Sequence, residues 1–213
     1  MDQPRHIRGE MIYFSDRDVV SKLAACGFLP LIASLLGKPE ESLEIRYLAS
    51  LKYSLSRPGR KLANKTYQRH LEKFCQSHRS IDGSTNLHRE QELLSGSMDP
   101  GEAVLFAEAE ETGDTVVTGD KVALKAYRRV SNSAQRSKIK VVCWEQLLLR
   151  VHETQGYEAL MAGCCEGIEC DKMLLLAFSN GLATLEDHAL DCLHSHLRDV
   201  EKHSSDILFR FDR

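Results

Sequence analysis

Three carboxylates of this chain sit where carboxylates can act together. Asp16 follows the apolar run Met11-Ile-Tyr-Phe-Ser15, and Asp120 closes the run Thr115-Val-Val-Thr-Gly119. Glu102 opens the helix-like stretch Glu102-Ala-Val-Leu-Phe-Ala-Glu-Ala109. In an open parallel α/β sheet, side chains at the carboxyl ends of neighbouring strands converge on one crevice. Acidic oxygens gathered there, too few to complete a coordination shell, suit Mg²⁺ or Mn²⁺, which keep waters and share substrate phosphate oxygens. Such an ion acidifies a water and stabilises charge building on a scissile phosphate. Asp16, Glu102 and Asp120 are therefore the candidate metal ligands and catalytic residues. Asp99, just ahead of Glu102, joins them as an N-cap, a fourth ligand or an outer base. Asp18 is close enough to Asp16 for a supporting role.

Each acid taken alone is better explained as a helix cap or a first-turn charge favoured by the helix dipole. Their joint placement at strand ends is what shifts the reading towards a metal. The elements that must deliver them can be read along the chain. Residues 11–15 predict a strand, followed by a helix starting after Asp16 and a helix end near Gly37. A second short strand is expected from Leu43 to Tyr47 and a helix from Leu48 to Leu55. Ser56-Arg-Pro-Gly59 breaks the chain, and a helix from Lys61 to Gln76 buries Leu62, Tyr67, Leu71 and Phe74. Residues 81–86 read as a loop, 87–94 as a short helix and 95–101 as a turn-rich connector. A helix from Glu102 to Glu111, a strand from Thr115 to Thr118 and a helix from Lys121 to Arg129 follow. Ile139 to Cys143 is the last strand, with Trp144 to His152 as its helix. Alternating strands and helices argue for a parallel-sheet α/β domain. Beyond Gly156 only helices are expected, so the division is a domain over 11–156 and a helical extension over 157–213.

The chain has 213 residues, 42% of them hydrophobic, enough for a packed core. Its net charge of −3 conceals a local asymmetry. Between Arg46 and Arg79 stand nine Lys or Arg against one acid, Glu72. Such a segment suits phosphate tracking, because neutralised phosphates release condensed counterions. Arg57, Arg60, Lys61, Lys65 and Arg69 are its nucleic-acid-binding candidates, the last three recurring on one helical face. Tyr53, Tyr67 and Phe74 could stack on unpaired bases, although the spacing of the latter two fits a buried stripe better.

No run approaches the roughly 18 apolar residues of a membrane span, and the amino terminus lacks a secretory apolar centre. Met1 and Met11 are both starts that the sequence allows. Seven scattered cysteines, without a secreted-domain pattern, fit a reducing cytoplasm. Cys164, Cys165 and Cys170 lack knuckle spacing and read as buried free thiols rather than a zinc site. No Gly-rich phosphate loop or nucleophile elbow is present, which disfavours nucleotide and serine hydrolases.

The order of these motifs resembles the PIN-domain family of metal-dependent nucleases. Ile12-Tyr-Phe-Ser-Asp16-Arg-Asp18 is similar to that family's opening strand and acidic signature. Asp99-Pro-Gly-Glu102-Ala103 is similar to the Gly-Glu-Ala helix of one subgroup, and Val116-Val-Thr-Gly-Asp120 to the later strand-end Asp. The resemblance covers about residues 11–150 and implies a three-layer α/β/α fold. It further implies a Mg²⁺- or Mn²⁺-dependent endoribonuclease acting on single-stranded RNA, with Asp16, Glu102 and Asp120 as ligands. One departure stands out. Many members bring another acid from an early helix after the second strand, whereas Arg46 to Leu55 holds none. A site short of one ligand recruits Asp99, binds metal weakly or is catalytically dead. The alternatives are thus a degenerate module binding RNA or a protein partner, or the toxin of a toxin–antitoxin pair. Oligomeric state stays open, a homodimer included.

Overall fold

The computed structural model describes residues 11–56 and 65–211. Strand β1 (Ile12–Ser15) leads into α1 (Arg17–Ala25), and after a tight turn α2 (Ile32–Leu35) brings the chain to β2 (Glu44–Leu48). Helices α3 (Ser50–Ser56) and α4 (Lys65–Ser77) precede β3 (Arg79–Ile81). Then come α5 (Leu87–Ser95), α6 (Pro100–Thr112), β4 (Thr115–Thr118), α7 (Lys121–Val130) and the single turn α8 (Ser133–Arg136). Strand β5 (Lys140–Cys143) runs directly into α9 (Trp144–Gln155), and the chain ends with α10 (Tyr157–Glu166), α11 (Lys172–Ala177) and α12 (Glu186–Ser204).

The five strands form one sheet in the order β3-β2-β1-β4-β5, every pair parallel. A parallel sheet buried on both faces needs apolar side chains on both, and β1 and β4 are buried at every position. Alternation divides them. Tyr13, Val117 and Val142 enter one core with α1, α4 and α9, while Ile12, Phe14, Val116 and Val141 enter the other with α6 and α7. The protein is thus an α/β domain with helices on both faces of a parallel sheet.

Helix α6 lies deepest. Its residues from Glu102 to Glu110 are all buried, so it has no solvent face to carry charge. Glu110 is matched by the buried Arg89 of α5, at 2.9 Å, and by the Tyr127 hydroxyl of α7, which donates to it at 3.1 Å. Buried charge is tolerated here because Glu110 Oε2 accepts from both partners and one of them carries the opposite charge.

The helices after Gly156 share these cores. Leu160, Cys164, Leu174, Phe178 and Leu193 pack with Val19 and Leu23, and Val200, Ile207 and Leu208 pack with Phe106 and Val141. The segment after α12 also hydrogen-bonds the outer edge of β5: Val141 N–H donates to Ile207 O at 2.8 Å and Phe209 N–H to Val141 O at 2.7 Å. That cover removes a free sheet edge.

Two local readings change. The stretch ending near Gly37 is two helices, since Gly27 takes φ +73° and turns the chain after α1. The loop expected from residue 81 is preceded by β3, whose Leu48–Ile81 register extends the sheet by one edge strand. Of the stripe on α4, Tyr67, Leu71 and Phe74 are buried as their spacing predicts, and Leu62 lies outside the described residues. Among the described residues no single helix is long and apolar enough to cross a membrane.

Candidate active site

The carboxyl ends of the strands open onto a cleft of about 840 Å³. Asp16, Asp99, Glu102 and Asp120 all line it, as the sequence reading expects. Asp18, Asp82 and Glu90 line it as well, and among the described residues Arg17 is the one base in the lining.

Asp16 is fixed by the backbone on either side. One oxygen accepts from Val19 N–H at 2.6 Å, capping α1, and the other accepts from Gly119 N–H at 3.2 Å, beyond the end of β4. The residue is 4% exposed, and burial raises its pKa against the lowering effect of hydrogen bonds from Thr118, Val19 and Gly119. Asp120 caps α7, its Oδ1 accepting from Val122 N–H at 2.6 Å and Ala123 N–H at 3.2 Å. Asp99 caps α6 and accepts from Gly101 N–H at 2.9 Å. The cap reading is therefore correct for all three. Capping by Asp120 and Asp99 uses one oxygen each in the contacts described, whereas Asp16 engages both.

Glu102 differs. It sits in the first turn of the buried helix α6, 8% exposed. Burial first, then the negative charge of Asp120, Asp16, Asp99 and Asp18, pushes its carboxyl up to about 9. Four carboxylates thus surround a fifth that is out of water, which is the electrostatic situation a dication relieves. Among the described residues no three His, Cys, Asp or Glu side chains already stand close enough to hold an ion. Binding one would require the acid side chains to turn inward from their caps.

Asp82 and Glu90 escape a sequence reading. Asp82 follows Ile81 at the end of β3, beside Leu48 of β2, and so occupies the sheet end where the early helix offers no acid. The signal available was an Asp after an apolar residue and before Gly83, but three residues are too few to show a strand's alternation. Glu90 lies on α5, where its Oε2 accepts from Ser84 N–H at 3.3 Å. In place of an early-helix acid, α3 contributes Ser50 and Tyr53 to the cleft wall, and Tyr53 is 73% exposed.

The basic candidates divide. Arg57, Arg60 and Lys61 lie outside the described residues, Lys65 begins α4, and Arg69 is exposed on α4 but does not line the cleft. The cysteines are free: Cys26, Cys143 and Cys164 are buried, and Cys165 and Cys170 half-buried. Comparison with protein-family models, with curated proteins and with solved structures finds no match to this chain.

Proposed function

We propose that the protein is a PIN-like phosphodiesterase that cleaves single-stranded RNA with Mg²⁺ or Mn²⁺. The observation that carries this reading is the charge of the cleft: seven carboxylates line it, and among the described residues one arginine. Capping accounts for three of these acids singly, but each added carboxylate raises the cost of ionising the rest, and such clusters concentrate at functional sites. Oxygen donors from Asp16, Glu102 and Asp120 are those that hard divalent cations select. An ion held there would neutralise phosphate charge and make a bound water more acidic.

The chain's own residues would do the remainder. Asp16, with both oxygens held by backbone N–H groups, would be the rigid member of the set, while Asp120, held through one oxygen, and Glu102 would adjust around it. Asp99 and Asp82, both exposed, stand at the cleft where they can accept a proton from water. Tyr53 offers a ring on which a base can stack, and α3 leads into the basic stretch that suits the phosphate backbone. The preference for RNA over DNA rests on the resemblance in motif order alone.

The test is incubation of labelled single-stranded RNA with the protein and Mg²⁺ or Mn²⁺, repeated with Asp16→Ala and Asp120→Asn. Metal-dependent cleavage that both substitutions abolish is the expected result, and cleavage unchanged in both removes the mechanism. A second reading, a non-catalytic module binding RNA or a protein partner, is favoured by the absence of a ready-made three-ligand group. RNA binding without turnover at any Mn²⁺ concentration would establish it instead.

A further inference from the structure

Two lysines beside the acid cleft each pair with one carboxylate from the helices after Gly156 and one from the sheet domain. Lys22 of α1 is buried, and its Nζ lies 2.6 Å from Asp18 Oδ2 and 2.6 Å from Asp171 Oδ2. Asp171 is itself held as the cap of α11, accepting from Met173 N–H at 2.7 Å. The ammonium lies 5.9 Å from the centre of the Trp144 ring, and a Cβ added at Gly119 would meet it at 3.4 Å. Gly119 is the residue whose N–H holds Asp16. Lys121, next to Asp120, repeats the arrangement: its Nζ is 3.2 Å from Glu145 Oε1 and 3.6 Å from Asp199 Oδ2 of α12. A groove of about 450 Å³ lies among these groups and shares Asp18 and Gly119 with the acid cleft.

We infer that Asp171 is a positioning residue through which the helices after Gly156 set the cleft's affinity for a divalent cation. The inference rests on the metal-site reading above and assigns that site a regulator. Lys22 stands beside the acids and would repel a dication if its charge were bare. Asp18 cancels that charge at the expense of its own, and Asp171 restores the negative balance from outside the cleft. The formal charge of the Asp18–Lys22–Asp171 clamp is −1. Asp171→Asn brings it to 0, Lys22→Met to −2, and the double substitution leaves it at −1. Asn still caps a helix, so the first variant changes charge and little else.

The sign pattern separates this role from simple packing. Loss of packing would weaken metal binding in both single variants. Loss of charge control weakens it in one and strengthens it in the other, and the double variant returns towards wild type. The experiment is calorimetric titration of the full chain with Mn²⁺ at low ionic strength, with emission of Trp144, the single tryptophan, reporting on the clamp. Expected is a Kd raised roughly three- to tenfold by Asp171→Asn, lowered by a similar factor by Lys22→Met, and a smaller spread at high salt. Asp171→Glu should restore wild-type affinity. Asp171→Asn binding Mn²⁺ as tightly as wild type overturns the inference, as does Lys22→Met binding more weakly while its thermal unfolding stays cooperative. Should Lys22→Met fail to fold, the Asp171→Asn and Asp171→Glu pair decides alone. Wild-type protein that binds no Mn²⁺ removes the metal site itself, a failure visible before any variant is compared.

Discussion

The Gly119 N–H donates to Asp16 Oδ2 at 3.2 Å, joining the chain beyond β4 to the end of β1 across 103 residues of sequence. Because the other Asp16 oxygen already accepts from Val19 N–H, this carboxylate is at once a helix cap and a tie between neighbouring strand ends. An amide cannot replace it, since one of the two N–H groups would then face an NH₂. Asp16→Asn should therefore destabilise the metal-free protein by about 1–3 kcal/mol, the usual cost of an unsatisfied buried donor. Urea unfolding in chelator would show it. Equal midpoints for Asp16→Asn and wild type would mean that the carboxylate has no structural share.

Glu102 predicts the opposite sign. Its carboxyl titrates near 9 in the fold, against an ordinary value of 4.5 when unfolded. Between these limits the native state binds the extra proton, so metal-free stability falls as pH rises from about 4.5 to about 9. Below the lower limit both states are protonated and the effect vanishes. Glu102→Gln removes the dependence and should raise the melting temperature at pH 8 while abolishing cleavage. The check is a pair of melting curves in chelator at pH 6 and pH 8.5. Wild type and Glu102→Gln shifting in parallel between these pH values would contradict the placement of the charge.

Asp82 is exposed and caps no helix among the described residues, so its removal tests the cleft without testing the fold. Asp82→Asn should leave the free energy of unfolding within about 0.5 kcal/mol of wild type. Metal-dependent RNA cleavage should fall roughly tenfold, as expected for one of several carboxylates acting on a proton or an ion. Rates measured across a Mn²⁺ series locate the defect in metal affinity or in turnover. No change in either would make Asp82 a bystander on the cleft wall.

RNA contact is separable from catalysis. Tyr53→Ala should weaken binding of an uncleavable single-stranded oligonucleotide by about 1–3 kcal/mol if a base stacks on the ring. Arg69→Ala should lower the slope of log affinity against log salt by about 1. Fluorescence anisotropy at several salt concentrations reads both. Retention of full affinity by both variants would place the strand elsewhere on the molecule.

Gly163 of α10 tests how the C-terminal helices seat on the sheet domain. A Cβ there would come within 2.5 Å of the Cys26 carbonyl and 2.3 Å of the Phe28 ring. Backbone cannot yield as a side-chain tip can, so Gly163→Ala should cost roughly 2–4 kcal/mol and loosen α10 from α1. Hydrogen exchange of the α1 and α10 amides measures it, and protection equal to wild type in both helices would refute the close approach.

Much of the frame was legible because it depends on local rules. The tetrads Ile12–Ser15 and Thr115–Thr118 are short, uncharged and centred on apolar residues, as strands buried on both faces must be, and Asp16, Asp99 and Asp120 carry the cap chemistry that starts α1, α6 and α7. Arg79–Ile81 was not legible: with exposed Arg79 and half-buried Ser80, it becomes a strand through pairing with β2 and not through its own pattern. The break at Gly27 was hidden for a similar reason, one glycine in an otherwise helical apolar run giving little warning of φ +73°.

By itself the sequence determined which residues could begin helices, which runs had to be buried and which acids stood at their ends. Those are properties of dihedral preference, capping and hydrophobic period within a few residues. Only the tertiary structure decided that Asp82 and Glu90 join the acids, that Glu102 lies out of water, and that Lys22 is shared between Asp18 and Asp171. Burial and charge–charge energy depend on distance in space, and no spacing along the chain fixes how near two strand ends finally come.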